Sequence, residues 1–150
     1  MEIVRYSPEY WEGMQEVHDP ARMQELTLAG LEAAFLPLHI AAEREDLFDY
    51  HVYIAKEQGK VLGFVAFSDE ELAWLYVRPD HQRQGIGRKL AEHALAHMTA
   101  EEKSVEVLHG NEPARGLYHS LGFTKETILH GRMPGNESFK VRVWQMTMEK

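Results

Sequence analysis

The segment richest in possible chemistry is Leu75-Tyr-Val-Arg-Pro-Asp-His-Gln-Arg-Gln-Gly-Ile-Gly-Arg-Lys-Leu90. It reads as a strand, a loop, and a helix that begins at Gly85 and Gly87. The first turn of a helix leaves backbone N–H groups unpaired. The helix dipole adds about half a positive charge there. Glycines admit close approach of a ligand to the backbone, and Arg83, Arg88 and Lys89 add formal charge. Together they predict a cradle for an anion such as a phosphate. The pattern is not the P-loop, which needs Gly-x4-Gly-Lys-Ser/Thr. Nor is it the dinucleotide fingerprint, because Leu90 stands where a third glycine belongs.

The spacing that is present, Gln82-x-x-Gly85-x-Gly87, resembles the Gln/Arg-x-x-Gly-x-Gly/Ala signature of the GNAT N-acetyltransferases. The resemblance extends on both sides. Leu75-Tyr76-Val77 followed by Arg78-Pro79 is similar to that family's fourth strand and its exit. Downstream, Val105-Glu106-Val107 leads into Asn111-x-x-Ala114-x-x-x-Tyr118-x-x-x-Gly122-Phe123, similar to the family's second half in order and separation. The match runs from about residue 71 to 123, and the first 50 residues add little to it.

The resemblance implies a chain that moves an acetyl group from acetyl-CoA directly to a primary amine, on a small molecule or a peptide N-terminus. It implies that main-chain amides over Gln82, Arg83, Gln84, Gly85, Ile86, Gly87 and Arg88 hold the CoA pyrophosphate. Backbone groups of Leu75 and Val77 would pair with the pantetheine arm. The Asn111 side chain would contact that arm as well, and it also suits a cap for the helix that Pro113 helps start. Tyr118 is implied beside the CoA sulfur as general acid, since a phenol with an ordinary pKa of about 10 protonates a thiolate without ionising beforehand. An N–H near Val77 would meet the oxyanion. The amine needs a base, for which Glu106 is the first candidate and Glu71 and Glu70 are rivals. A non-catalytic acyl-CoA-binding module is the alternative reading of the same motifs.

Other residues promise less. His93 and His97 lie one helical turn apart, but no third ligand accompanies them, so a solvated face is expected and no metal site. Phe35 and Leu36 beside Pro37 suit either core packing or an acceptor pocket. Pro134-Gly135-Asn136 suits either a plain turn or a loop bordering that pocket.

These residues need elements to hold them. Apolar alternation and turn residues predict strands over 2–6, 51–56, 61–67, 71–78, 104–109, 123–129 and 138–148. Residues 51–56 and 61–67 form a hairpin about Gly59-Lys60. One or two helices are expected within 20–47, interrupted at Pro37. A further helix follows Gly85, where Ile86, Leu90, Ala94 and Met98 recur every four residues. A short one over 112–121 stops at Gly122. Trp144, Met146 and Met148 alternate along the last strand, which is therefore buried on at least one face. The order predicts an α/β domain over 1–150 with a mixed, mostly antiparallel sheet flanked by helices. The resemblance adds that the two central parallel strands, 71–78 and 104–109, splay apart.

The bulk composition narrows the function. The 150 residues suit one domain, and with no cysteine there is neither a disulfide nor an acyl-cysteine route. The net charge of −8 argues against a nucleic-acid partner. No apolar run is long enough for a membrane span, the first residues show no signal core, and a cytoplasmic monomer or homodimer is expected. The charge is uneven. Residues 1–70 hold 14 acids and 5 Lys/Arg, whereas residues 71–150 hold 10 and 11. The second part is the better host for an anionic cofactor, and the first would draw a cation.

Overall fold

A computed structural model describes residues 1–149. Seven strands form one sheet in the order β1-β2-β3-β4-β5-β7-β6. They are β1 (Glu2–Arg5), β2 (His51–Glu57), β3 (Lys60–Phe67), β4 (Glu71–Val77), β5 (Glu102–Leu108), β6 (Lys125–Met133) and β7 (Asn136–Glu149). Four α-helices cover it: α1 (Trp11–Ala29), α2 (Leu38–Arg44), α3 (Ile86–His97) and α4 (Glu112–Ser120). The mixed, mostly antiparallel α/β architecture is thus the one expected.

β3 explains the layering. Every residue from Val61 to Phe67 is buried, so a helix must cover each face of this strand. On one face Val65 and Phe67 pack with Leu90, Ala91 and Ala94 of α3. On the other, Phe64 and Ala66 pack with Met14 and Val17 of α1 and Leu38 of α2. The strand alternation (period two) and the helical stripes meet in two cores, one on each side of the sheet.

Only β4 and β5 run parallel, as the α3 crossover between them requires. Their pairing covers Glu71↔Ser104 and Leu72↔Val105 and then stops. Beyond Leu72 the β5-facing edge of β4 has no strand partner, which is the expected splay. β5 continues on its other side against β7 as far as Leu108↔Val143.

The first third of the chain departs from expectation. One helix begins at Trp11 and carries Pro20 inside it, instead of starting at residue 20. An interior proline costs a helix about 3 kcal/mol. Complete burial of Met14, Val17 and Leu26 on this helix offsets that. The interruption expected at Pro37 is present, since Pro37 is the N-cap of the separate helix α2. β5 also begins two residues earlier than expected, at Glu102, and Asn136 opens β7 rather than belonging to the turn.

α1 is tied to the far side of the sheet at Gly110, between β5 and α4. Its φ is +106°, and a Cβ there would lie 2.6 Å from the Leu28 carbonyl oxygen of α1. Both the dihedral and the backbone contact therefore require glycine. Gly110→Ala should lower the unfolding free energy by about 1–3 kcal/mol. Urea denaturation checks this, and an unchanged midpoint would show that α1 and the β5–α4 turn are not in close contact.

Candidate active site

The gap between β4 and β5 opens into a cavity of about 970 Å³, which the α3 N-terminus, α4, α1 and the β6–β7 turn also line. At one end stands the glycine loop. Gly85, at φ +83°, is the N-cap of α3, and no side chain caps this helix. Its first helical hydrogen bond is donated by Lys89 N–H to the Gly85 carbonyl at 3.0 Å. The N–H groups of Ile86, Gly87 and Arg88 are left without a helical partner, which suits a phosphate. Arg83 is held at φ +65°, a conformation that costs a non-glycine residue energy and curls the loop. Gln82 braces the loop: its Nε2 donates to the Val77 carbonyl at 3.3 Å and to Gln24 Oε1 at 2.9 Å.

Of the expected loop residues, Gln82, Arg83, Gly85, Ile86, Gly87 and Arg88 line the cavity, while Gln84 does not. The Ile86 side chain is buried in the core, so only its backbone faces a ligand. Arg88 donates to Ser120 Oγ at 2.5 Å, joining the first turn of α3 to the last residue of α4. Leu75 and Val77 lie on the unpaired stretch of β4 and line the cavity. Their free edge can take hydrogen bonds from an amide-bearing chain as a further strand would.

Asn111 is the N-cap of α4. Its Oδ1 accepts from Ala114 N–H at 3.4 Å, and its Nδ2 donates to Glu25 Oε2 at 3.2 Å. Tyr118 lies two turns further along α4, with its ring against Phe123 at 5.9 Å. The residue is only 6% exposed. Among the described residues its hydroxyl has no protein hydrogen-bond partner, and Tyr118 lines the cavity. Burial, and then the charge of Glu25, push the phenol well above its ordinary value. Such a phenol stays protonated at any working pH and is poised to donate.

Glu106 alternates with buried Val105 and Val107 and turns to the other face of β5, where it lines the cavity. Water reaches it, yet the concave walls still cost its charge solvation. Burial, then the neighbouring Glu71 carboxylate, raise its pKa above the usual glutamate range. Glu71 also lines the cavity and accepts a hydrogen bond from Tyr50 OH at 3.0 Å. Glu70 is exposed and does not line it.

The remaining sequence candidates separate cleanly. Leu36, Pro134 and Gly135 line the cavity. Phe35 packs in the small core under Met133 and Val141, and Asn136 Nδ2 donates to the Ala34 carbonyl at 3.0 Å. Of the pair expected on a solvated face, His97 is exposed but His93 is half-buried. Their rings meet at 4.4 Å, and His93 packs at 4.4 Å on Tyr53. Among the described residues no group of three metal-ligating side chains occurs.

Sequence reasoning missed the wall that α1 and α2 contribute: Arg22, Glu25 and Glu45 line the cavity with Tyr76 of β4 and Glu137 of β7. A signal was present in α1. Glu25 lies four residues after Ala21 and seven after His18, so it is a charge on the buried stripe. Glu45 is pushed up to about 7 by burial, then by Glu137 and Glu25, against the opposing pull of Arg22.

The chain is similar to known proteins. A family model for the acetyltransferase (GNAT) domain matches residues 48–125, and the chain belongs to that family. Peptidyl-lysine N-acetyltransferase YjaB of Escherichia coli K12 is 34% identical over 95 residues, covering 59% of this chain and 63% of that protein. The alanine N-acetyltransferase of ribosomal protein bS18 from the same organism is 37% identical over 87 residues, covering 52% and 57%. The chain thus spans about three fifths of the length of these curated relatives. The crystal structure of the PaiA N-acetyltransferase of Thermoplasma acidophilum in complex with coenzyme A has the same fold. Its TM-score is 0.68 at 18% identity, over 99% of this chain and 98% of that one.

The electrostatics of the carboxylate pair are testable without any ligand. Glu71→Gln removes one of the two causes that raise Glu106. The titration midpoint of the Glu106 carboxyl, followed by carbon NMR, should then move down toward the ordinary glutamate value of about 4.3. An unmoved midpoint would mean that the two side chains do not sense one another.

Proposed function

We propose that this chain is an N-acetyltransferase that moves the acetyl group of acetyl-CoA directly to a primary amine within a ternary complex. What carries the reading is a convergence in one cavity. An uncapped helix N-terminus for phosphates, an unpaired strand edge for amides and a buried phenol without a partner all open into it. Each lacks a partner that one elongated molecule with a diphosphate, two amides and a thioester would supply.

In this reading the N–H groups of Ile86, Gly87 and Arg88 hold the diphosphate, with Arg83 and Gln84 completing the loop. Backbone groups of Leu75 and Val77 align the pantetheine arm, together with the remaining amide proton of Asn111. Glu106 draws the ammonium proton of the acceptor through water, leaving the nitrogen lone pair free. That pair forms the new C–N bond as the thioester C–S bond breaks. An N–H near Val77 faces the oxyanion, and the Tyr118 hydroxyl proton passes to the departing thiolate. The second amine proton leaves to water; solvent then returns a proton to Tyr118 and takes one from Glu106, so that an ammonium and acetyl-CoA become an amide, CoA thiol and one released proton.

The acceptor end is acidic. Glu45, Glu71, Glu106 and Glu137 line it, while Arg22 and Arg44 are engaged by Glu25 and the Gly135 carbonyl. This favours an amine that arrives positively charged, on a small molecule or a peptide. YjaB and the bS18 enzyme are named for a peptidyl lysine and an alanine of ribosomal protein bS18. Both acceptors are compatible with such a mouth. The reaction would take place in the cytoplasm on a monomer or homodimer, with no nucleic acid, membrane or metal involved.

Release of CoA thiol from acetyl-CoA, measured against a panel of amines and short peptides, tests this directly. Tyr118→Phe should lower kcat by about 10²–10⁴-fold, the span of general acid catalysis, while the Kd for CoA changes little. Binding of CoA with no turnover on any acceptor would favour the non-catalytic module. The acidic limb of kcat/KM should lie above the ordinary glutamate range, because the rate rises only as Glu106 loses its proton. Glu106→Gln should abolish that limb, and a limb that survives unchanged would remove Glu106 from the role of base.

A further inference from the structure

One carboxylate outside this set joins three walls of the cavity. Glu25 of α1 accepts a hydrogen bond from Tyr76 OH of β4 at 2.9 Å on Oε1. Its Oε2 accepts from Asn111 Nδ2, at the head of α4, at 3.2 Å. Arg22, one turn back on α1, also donates to Oε1. The Glu25 and Arg22 side chains are about one-fifth exposed. Burial, followed by the charge of Glu25, drives the Tyr76 phenol far above its ordinary value. Its hydroxyl is therefore always a donor. All three groups hydrogen-bonded to Glu25 are donors, and between them they occupy both of its oxygens.

This occupancy distinguishes Glu25 from the other cavity glutamates. Both of its oxygens are taken, which leaves it poorly placed to draw a proton from an amine. What it does instead is fix the orientation of Asn111. The Asn111 amide is held at both ends: Oδ1 by Ala114 N–H, and one Nδ2 proton by Glu25. A rotation of the amide would put its NH₂ against the helix N–H and its oxygen against the carboxylate, so only one orientation survives. The second Nδ2 proton is the one left for a ligand in the cavity, which Asn111 lines. The same contact pins the first turn of α4, the helix that carries Tyr118.

We infer that Glu25 is a positioning residue for acetyl transfer, acting through Asn111 to aim its free amide proton at the pantetheine arm and to seat α4. The inference rests on the acetyltransferase reading. Glu25→Gln is the discriminating variant, because it keeps size and one acceptor but sets an NH₂ against a donor. At least one of Tyr76, Arg22 and Asn111 then loses its partner.

The experiment is a double-mutant cycle on the full chain with acetyl-CoA and the preferred amine. It compares wild type, Glu25→Gln, Asn111→Ala and the double variant. kcat, KM for acetyl-CoA, Kd for CoA and melting temperature are read for each. Glu25→Gln should lower kcat/KM for acetyl-CoA by about tenfold. In the Asn111→Ala background the same change should cost less than about twofold, since the group it acts through is gone. Losses that multiply in the double variant overturn the inference. So does a Glu25→Gln protein that only melts earlier, with kcat/KM per folded molecule within about twofold of wild type. A wild type that neither binds CoA nor releases thiol is a separate outcome: the acetyltransferase reading then falls and takes this inference with it.

Discussion

The structure turns on two strands that part company. β4 and β5 pair for two residues and then diverge, leaving backbone donors and acceptors on β4 unpaired inside a folded domain. Such an edge is costly unless something else pairs with it. The surrounding elements are arranged around that gap. β3 holds β4 from its other side and is itself sealed above and below by helices. β7 holds β5 in the same way. The gap can stay open because each strand is anchored along its outer edge.

Charge is distributed along the cavity to match. The glycine loop presents helix N–H groups, Arg83 and Arg88 at one end. Elsewhere the cavity gathers Glu45, Glu71, Glu106 and Glu137, from the end of α2 and from β4, β5 and β7. Solvation is poor within the concave walls, so Glu45 and Glu106 resist ionisation. On Glu25, by contrast, three donors converge, one of them a guanidinium. Five glutamates line one cavity and play different parts according to what faces each of them.

Much of the second half was legible from local pattern. The loop from Gln82 to Arg88, the amphipathic α3, the Asn111 cap and the position of Tyr118 all depend on neighbours within about one or two turns. The periods of α3 and β5 were visible there because one face of each is buried. In the first third the pattern failed. The expected helical range began at residue 20, but α1 starts at Trp11 and carries Pro20 inside it, where packing against β3 and β4 outweighs the lost hydrogen bond. His93 looked solvated because helical spacing says nothing of Tyr53, which reaches it from β2.

By itself the sequence determined the family, the mixed α/β order, the glycine loop and the identity of the phenol. These are encoded in short-range spacing, in turn residues and in hydrophobic period. Only the tertiary structure decided which carboxylates face the cavity, that Glu70 does not, and that Glu25, Arg22, Tyr76 and Asn111 form one network. Those relations join residues as far apart as 86 positions in the chain. No local periodicity encodes them, because they arise where α1, β4 and α4 are brought together by burial of two separate cores.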